Sequence, residues 1–467
     1  MICTYRSDHM TLLVLTWKEI WLAVAQLILS LSILVVLHEF GHYITAKWFK
    51  CRVEKFYLFF DPWFALLKKK IGETEYGIGW LPLGGYVKIS GMIDESLDTE
   101  SMKLPPKPYE FRSKPAWQRL IIMLGGVTVN ILLAFLIWAF ILMVWGDKQI
   151  PTSSMQYGIN VQDSTLFKMG LRNGDKIISV DGKQVEDLQT IKKKIFLGKN
   201  ITLNRNGKDT TITMPVDLIG QLVENRKDED GFIESRVLAM AYDIPDTSRA
   251  YKAGLRRFDI IKKVDSIPVT YFDELRNILI TRKNTPTDLT ISRNGQEQVL
   301  HVTPNDEGRI GFGQVRDPET LDSLGWIKFS VTKYSFFAAF PAGVSKAWED
   351  LKFYVEQFKK MFTPKTGAYK GMGGFKGMAK AFVTPEWDWE HFWHITALLS
   401  IVLAFMNLLP IPALDGGHVL FTLIEMITGR KPSDKFLEYA QIVGIVLLLG
   451  LMVYANGNDW FGWGKSK

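Results

Sequence analysis

Residues 21–44, WLAVAQLILSLSILVVLHEFGHYI, constrain this chain most, because they stay apolar over a bilayer's thickness yet carry His38, Glu39 and His42 near one end. At about 1.5 Å rise per residue, such a stretch forms one membrane-crossing helix. Ionisable side chains in hydrocarbon are costly unless partnered, so a His-Glu-x-x-His set at that depth implies a task. On a helix, residues four apart stack on one face. His38 and His42 can therefore offer imidazole nitrogens to a single Zn²⁺, with Glu39 beside it. A cation there acidifies a water, and the neighbouring carboxylate takes its proton as the water attacks a carbonyl. The pattern points to metalloprotease chemistry. A soluble surface helix can carry the same residues by accident, but the apolar surroundings argue against that reading.

Segments 117–145, 392–409 and 436–454 are also apolar enough to cross. The chain is 47% hydrophobic over 467 residues, so membrane and water-soluble parts are segregated along it. The expected fold is a polytopic α-helical membrane protein with four transmembrane helices. The first span is expected to remain in the mature protein, because it is long and lacks an A-x-A-like cleavage site. Lys47, Lys50, Arg52, Lys55, Lys68, Lys69, Lys70, Lys88, Lys103, Lys107, Arg112 and Lys114 lie between the first two spans, and Arg430, Lys431 and Lys435 between the last two. By the positive-inside rule both loops face the cytoplasm, which leaves both termini and the long middle segment outside. That bias largely accounts for the net charge of +7, which therefore gives no sign of a nucleic-acid partner. Cys3 and Cys51 fall on opposite sides, so neither a disulfide framework nor a Cys-x-x-Cys zinc site is implied.

The middle segment contains a repeat. Residues 168–181, KMGLRNGDKIISVD, align with 252–265, KAGLRRFDIIKKVD, and Arg205-Asn206-Gly207 with Arg293-Asn294-Gly295. Two copies of one small α+β domain are expected, at 151–228 and 229–318. Each runs from a Gly-Leu turn through an Ile/Val strand, an Asp turn and a helical stretch to an Asn-Gly hairpin. The pattern resembles the bacterial PDZ domain, whose GLxxGDxIxxVDG signature is complete from Gly170 to Gly182 and departs at Phe258 and Ser266 in the second copy. PDZ domains capture extended peptides, including peptide C-termini, by adding a strand to a sheet edge. The alternative is a pair of folded spacers that filter access by bulk.

Within 319–391, Trp348, Leu351, Val355, Phe358 and Met361 recur at helical spacing with Lys352, Lys359 and Lys360 elsewhere, which predicts an amphipathic helix on the membrane surface or against the bundle. Phe340-Pro341 and the glycines at 371–377 are its expected boundaries, the latter as a flexible or re-entrant element.

A catalytic zinc site usually takes three protein ligands and leaves a position for water. His301 lies in the outward domains, and His391 and His394 at the outward start of the third span, whereas His38 and His42 lie near an inner end. Asp415 has the right depth, within NLLPIPALDGGH at 407–418, where Pro410 and Pro412 break the helix and free backbone groups. It reads as a third ligand or as the N-cap of a following helix, with His418 as the other candidate ligand.

HEFGH at 38–42 and NLLPIPALDGG at 407–417 together resemble the HExxH and NxxPxPxLDGG motifs of the site-2 protease family of intramembrane zinc metalloproteases, in its bacterial RseP-type branch with tandem PDZ domains. The resemblance covers nearly the whole chain. It implies one Zn²⁺ held by His38, His42 and Asp415, with Glu39 as catalytic base and Asn407 holding the substrate backbone or stabilising the oxyanion. Residues 73–80 read as a strand, 81–85 as a turn and 86–89 as its return. The family's equivalent is a membrane re-entrant β-hairpin, here at about 71–90, whose edge at Tyr76, Gly77, Ile78, Gly79, Gly84 and Gly85 pairs with an extended substrate. Read without the family, the same residues form a cytoplasmic hairpin. A helical substrate hides its scissile carbonyls in its own hydrogen bonds and has to unwind first.

The implied function is endopeptidase cleavage of the transmembrane segments of single-pass proteins near the cytoplasmic face of a bacterial inner membrane. Anti-sigma factors after a first cut, or remnant signal peptides, are the implied substrates, with the PDZ domains periplasmic. The implied organisation is 1–150 for the first two spans and their loop, 151–228 and 229–318 for the PDZ-like domains, 319–391 for the amphipathic segment and 392–467 for the last spans. The competing reading is a membrane-anchored PDZ adaptor without peptidase activity. The intact HExxH and Leu-Asp-Gly motifs argue against it.

Overall fold

The computed structural model describes residues 16–82, 84–92, 105–225 and 232–464; Cys3, Leu83, Lys103, the expected boundary at 228–229 and both chain ends lie outside them. The frame is built from helices α1 (Trp17–Trp48), α2 (Ala116–Val144), α3 (Phe336–Met361), α4 (Trp389–Leu408), α5 (Asp415–Thr428) and α6 (Asp434–Phe461). Among the described residues, four of them, α1, α2, α4 and α6, are long and apolar enough to cross a membrane. α1 starts before the apolar run because Thr16 and Glu19 form a capping box, in which the Glu19 amide donates to Thr16 Oγ1 at 3.3 Å and the Thr16 amide donates to the Glu19 carboxylate at 2.8 Å.

α2 is the hub, packing on α1, α3, α4 and α5. Lipid gives apolar helices no hydrophobic reason to associate, so close backbone approach and buried hydrogen bonds decide the arrangement. A Cβ on Gly41 of α1 would come within 2.3 Å of the Gly125 carbonyl oxygen of α2, so the two backbones touch there. Thr396 Oγ1 of α4 donates to Ser30 Oγ of α1 at 2.9 Å, and Ser400 Oγ of α4 donates to the Asn130 carbonyl of α2 at 2.7 Å.

α3 corrects one expected boundary. It begins at Phe336, so Pro341 lies inside the helix rather than before it. A proline so close to the start removes one hydrogen bond from the opening turns, and the packing of α3 on α2 holds the helix through it. The glycines at 371–377 are anchored to the end of α6. Asp459 accepts the amides of Gly374 and Gly377 at 2.7 and 2.8 Å, and Asn458 donates to the carbonyls of Lys370 and Met372 at 2.8 and 2.7 Å.

Between α1 and α2 lies a four-stranded sheet of β1 (Val53–Leu58), β2 (Phe60–Ile71), β3 (Thr74–Leu81) and β4 (Tyr86–Ile89), in the order β2-β3-β1-β4. The expected hairpin of 73–80 with 86–89 is therefore corrected. The actual hairpin is β2–β3, closed at Gly72-Glu73 with Ile71 opposite Thr74 and Gly72 in the left-handed region at φ +61°. The segment after β3 crosses over β1, which runs parallel to β3 and antiparallel to β4. β1 takes the inner place between β3 and β4, and its Val53 and Tyr57 are buried. On β2, Trp63, Phe64, Leu66 and Leu67 are exposed, Trp63 to 91%, and Lys68, Lys69 and Lys70 follow.

The repeat is structural as well as sequential. Lys176–Val180, Asn200–Arg205 and Lys208–Thr213 form the main part of one sheet, and Ile260–Val264, Thr287–Arg293 and Gln296–Val302 that of another. In the first, Arg205 donates to both Asp175 oxygens at 2.7 Å and to the Gly170 carbonyl at 2.7 Å. In the second, Arg293 grips Asp259 at 2.8 and 2.6 Å and the Gly254 carbonyl at 2.7 Å. The shared Gly-Leu, Asp and Arg-Asn-Gly positions are thus one charge-assisted brace used twice. Phe258, where the second copy departs from the signature, keeps the left-handed turn at φ +72° that Gly174 makes at +90°.

Arg236 and Asn173 tie the two units together. Arg236 follows Ile233–Ser235, which pairs with Ile159–Val161 and so carries the first unit past the expected boundary. It donates to both Asp273 oxygens at 2.9 Å and to Glu274 at 3.0 Å and lies 3.6 Å from the Tyr271 ring centre, and Asn173 reaches the same Asp273 at 2.6 Å. Arg236→Met should weaken this junction by on the order of 3 kcal/mol, since it leaves a largely buried carboxylate short of its charge partner. The check is amide exchange in the intact chain: protection at Ile159–Val161 and Ile233–Ser235 should fall while metal content holds.

Candidate metal centre

α1 carries His38 and His42 one turn apart, and α5 opens on Asp415. Their donor atoms converge. The two Nε2 atoms are 3.3 Å apart, and each lies 3.2 Å from Asp415 Oδ2. Both imidazoles are buried. The capping alternative for Asp415 does not hold, because the N-cap of α5 is Leu414 and no side-chain cap bond is made. What brings Asp415 here is the broken segment after α4, in which Leu409 is extended and Ala413 takes a positive φ of 78°.

The other histidines among the described residues lie elsewhere. His391 Nε2 meets the Ala381 carbonyl at 2.7 Å, His394 Nδ1 the Glu390 carbonyl at 2.9 Å, and exposed His301 the Asp288 carboxylate at 2.6 Å. His418, on α5, lines a separate cavity with Arg119 and Glu425. Asn407 does reach the centre, with Nδ2 3.2 Å from His38 Nε2. Glu39 is half-buried, interacts electrostatically with His38, His42 and Asp415, and accepts a hydrogen bond from the Val87 backbone of β4.

The sheet residues need a correction. Tyr76, Gly77, Ile78 and Gly79 lie on β3, whose two edges are already taken by β1 and β2, so no further strand can pair there. The edge beside Glu39 is that of β4, outermost in the sheet and preceded by Gly84 and Gly85. Tyr76 still couples the sheet to α1, its hydroxyl 2.7 Å from that of Tyr43.

Sequence reasoning overlooked α2. Ile122, Gly126 and Asn130 are spaced by four and share one face against the histidines. His42 Nδ1 donates to the Ile122 carbonyl at 2.8 Å, and the Asn130 amide lies 3.1 Å from His38 Nδ1. A Cβ on Gly126 would stand 2.4 Å from His42 Nε2 and 2.6 Å from His38 Cε1. The signal was present: an asparagine in mid-span, four residues after a glycine.

The donor set fits a zinc ion. With its proton on Nδ1, His42 turns the Nε2 lone pair toward Asp415 Oδ2, which is buried without a hydrogen-bond partner. Acceptors facing one another at 3.2 Å repel unless a cation lies between them. Three ligands of a tetrahedral Zn²⁺ with bonds of about 2.0–2.1 Å stand about 3.3–3.4 Å apart, close to the spacing seen.

The model of the family described as Peptidase family M50 matches residues 26–451. Among curated proteins, the chain is 29% identical over 457 residues to the regulator of sigma-E protease RseP of Escherichia coli (strain K12), covering 93% of this chain and 98% of that protein. It is 28% identical over 453 residues to the protein of the same name from Salmonella typhimurium, covering 93% and 98%. It is 27% identical over 459 residues, covering 93% and 97%, to a Vibrio cholerae protein whose name assigns it, by inference, to the zinc metalloproteases.

Gly126→Ala should empty the centre of metal, because the added methyl group drives into both rings. Elemental analysis of the purified chain should give zinc well below the unsubstituted level at unchanged helix content. Full occupancy would mean that α2 can back away.

Proposed function

The chain belongs to peptidase family M50, and from that membership we propose that it cuts peptide bonds within the membrane using His38, His42 and Asp415 to hold zinc and Glu39 to move the proton. It is a zinc metalloprotease of the intramembrane, site-2 kind. The observation that carries the residue assignment is the convergence of three buried donor atoms, 3.2–3.3 Å apart, in which both histidines come from a helix long and apolar enough to span a bilayer.

When bound, zinc supplies a Lewis acid that acidifies water and polarises the scissile carbonyl. Glu39 receives the proton of the attacking water and passes it to the leaving amine. Asn407 donates through Nδ2 to the carbonyl oxygen as its negative charge grows. The substrate backbone lies as an added strand on the free edge of β4, which keeps an unwound segment extended beside Glu39. The apolar stretch of β2 around Trp63 enters the membrane as a re-entrant element, with Lys68, Lys69 and Lys70 at the headgroups, a reading supported by the exposure of Trp63, Phe64, Leu66 and Leu67.

The repeated units are PDZ domains, the first running from about 151 to Ser235, whose strand pairs with Ile159–Val161, and the second from there to about 318. They are periplasmic in a bacterial inner membrane, with both termini on that side and the active site near the cytoplasm. They govern admission, by peptide capture or by bulk. The segment 319–391 lies against them, and 392–467 carries the last two spans. Substrates are single-pass membrane proteins. The name of the Escherichia coli relative ties that protein to sigma-E, which supports anti-sigma factors as one class.

Two substitutions test the assignment. Glu39→Gln should retain zinc and fold but abolish cleavage of a model transmembrane substrate; full turnover would sink the mechanism. Asp415→Ala should lower zinc content, and an unchanged content by elemental analysis would remove Asp415 from the ligand set.

A further inference from the structure

α2 faces each histidine with one polar group. His42 has the Ile122 carbonyl at 2.8 Å, and His38 has the Asn130 amide at 3.1 Å, two turns further along the same face. Asn130 is fully buried in a membrane-crossing helix. At such a depth an amide without a defined partner is costly. Its main chain is fixed from α4, where Ser400 Oγ donates to the Asn130 carbonyl at 2.7 Å. A metal between His38 and Asp415 needs the lone pair of His38 Nε2, which faces Asp415 Oδ2 at 3.2 Å, and this leaves the ring's proton on Nδ1. A proton on Nδ1 needs an acceptor, and a half-turn of the Asn130 amide offers its oxygen at the same position.

From this geometry we infer that Asn130 is a positioning residue for His38: its amide oxygen accepts Nδ1–H, fixes the ring's tautomer and aims the Nε2 lone pair at the metal. The histidines thus have matching outer partners on α2, a main-chain oxygen for His42 and a side-chain oxygen for His38. Outer-shell partners of this kind raise ligand basicity and hold ring orientation. The inference rests on the proposed metal centre.

The test uses the purified full-length chain in detergent, with zinc affinity measured by competition against a chromophoric chelator and the visible spectrum of the Co²⁺-loaded protein recorded alongside. Asn130→Leu, similar in size but without an acceptor, should bind zinc about 10–100-fold more weakly and change the cobalt spectrum. Asn130→Asp keeps the acceptor and should retain wild-type affinity and spectrum, a rescue that mere space-filling by asparagine would not produce. Wild-type affinity in the leucine variant, or an aspartate variant as weak as leucine, overturns the role of Asn130. Should the leucine variant not fold, the aspartate variant decides alone by the same criterion. A wild-type chain that binds no zinc would overturn the metal centre itself, whereas strong wild-type binding with an equally strong leucine variant removes only the role of Asn130.

Discussion

The backbone contact between Gly41 of α1 and Gly125 of α2 sets the distance on which the centre of this molecule depends. In water, two apolar helices would be pressed together by the solvent. In lipid they stay together only where their surfaces interlock and their few polar groups find one another. With the two glycines in contact, the Ile122 carbonyl reaches His42 and the Gly126 face closes on both rings. A side chain at either position would move α2 away and strip the histidines of their support.

The same hub organises the rest. α4 and α5 pack on α2, and the broken segment between them delivers Asn407 and Asp415 to the two histidines from the opposite side. The sheet sits against the C-terminal part of α1 and puts the Val87 backbone on Glu39. The repeated units are built separately, each around an arginine-aspartate brace, and joined where Arg236 and Asn173 meet Asp273.

What could be read from the sequence was what local spacing encodes. The i, i+4 histidines, the apolar spans and the two copies of the Gly-Leu, Asp and Arg-Asn-Gly pattern depend on neighbours in the chain, and depth in the bilayer brought Asp415 forward as a candidate third ligand, with a capping role and His418 as the alternatives. Strand order was not legible, because β1 pairs with β3 and β4, both later in the chain, and such pairing is a tertiary fact that local spacing does not encode. Pro341 misled as a boundary because packing on α2 sustains a helix that local propensity would end. Asn130 was missed for a different reason. A polar side chain in a span implies a task for the asparagine as much as for the histidines, but an asparagine lacks the metal-ligand spacing that makes His38 and His42 stand out.

The donors of the candidate centre are far apart along the chain, His38 and His42 on the first helix and Asp415 on the fifth of the six that form the frame. A growing chain therefore inserts its histidines and Glu39 into the membrane long before the third donor is synthesised. Until α4 and α5 have followed, the site has no closed ligand set. The order of the chain thus sets an order of assembly, in which the candidate donor set closes only once α5 has joined α1.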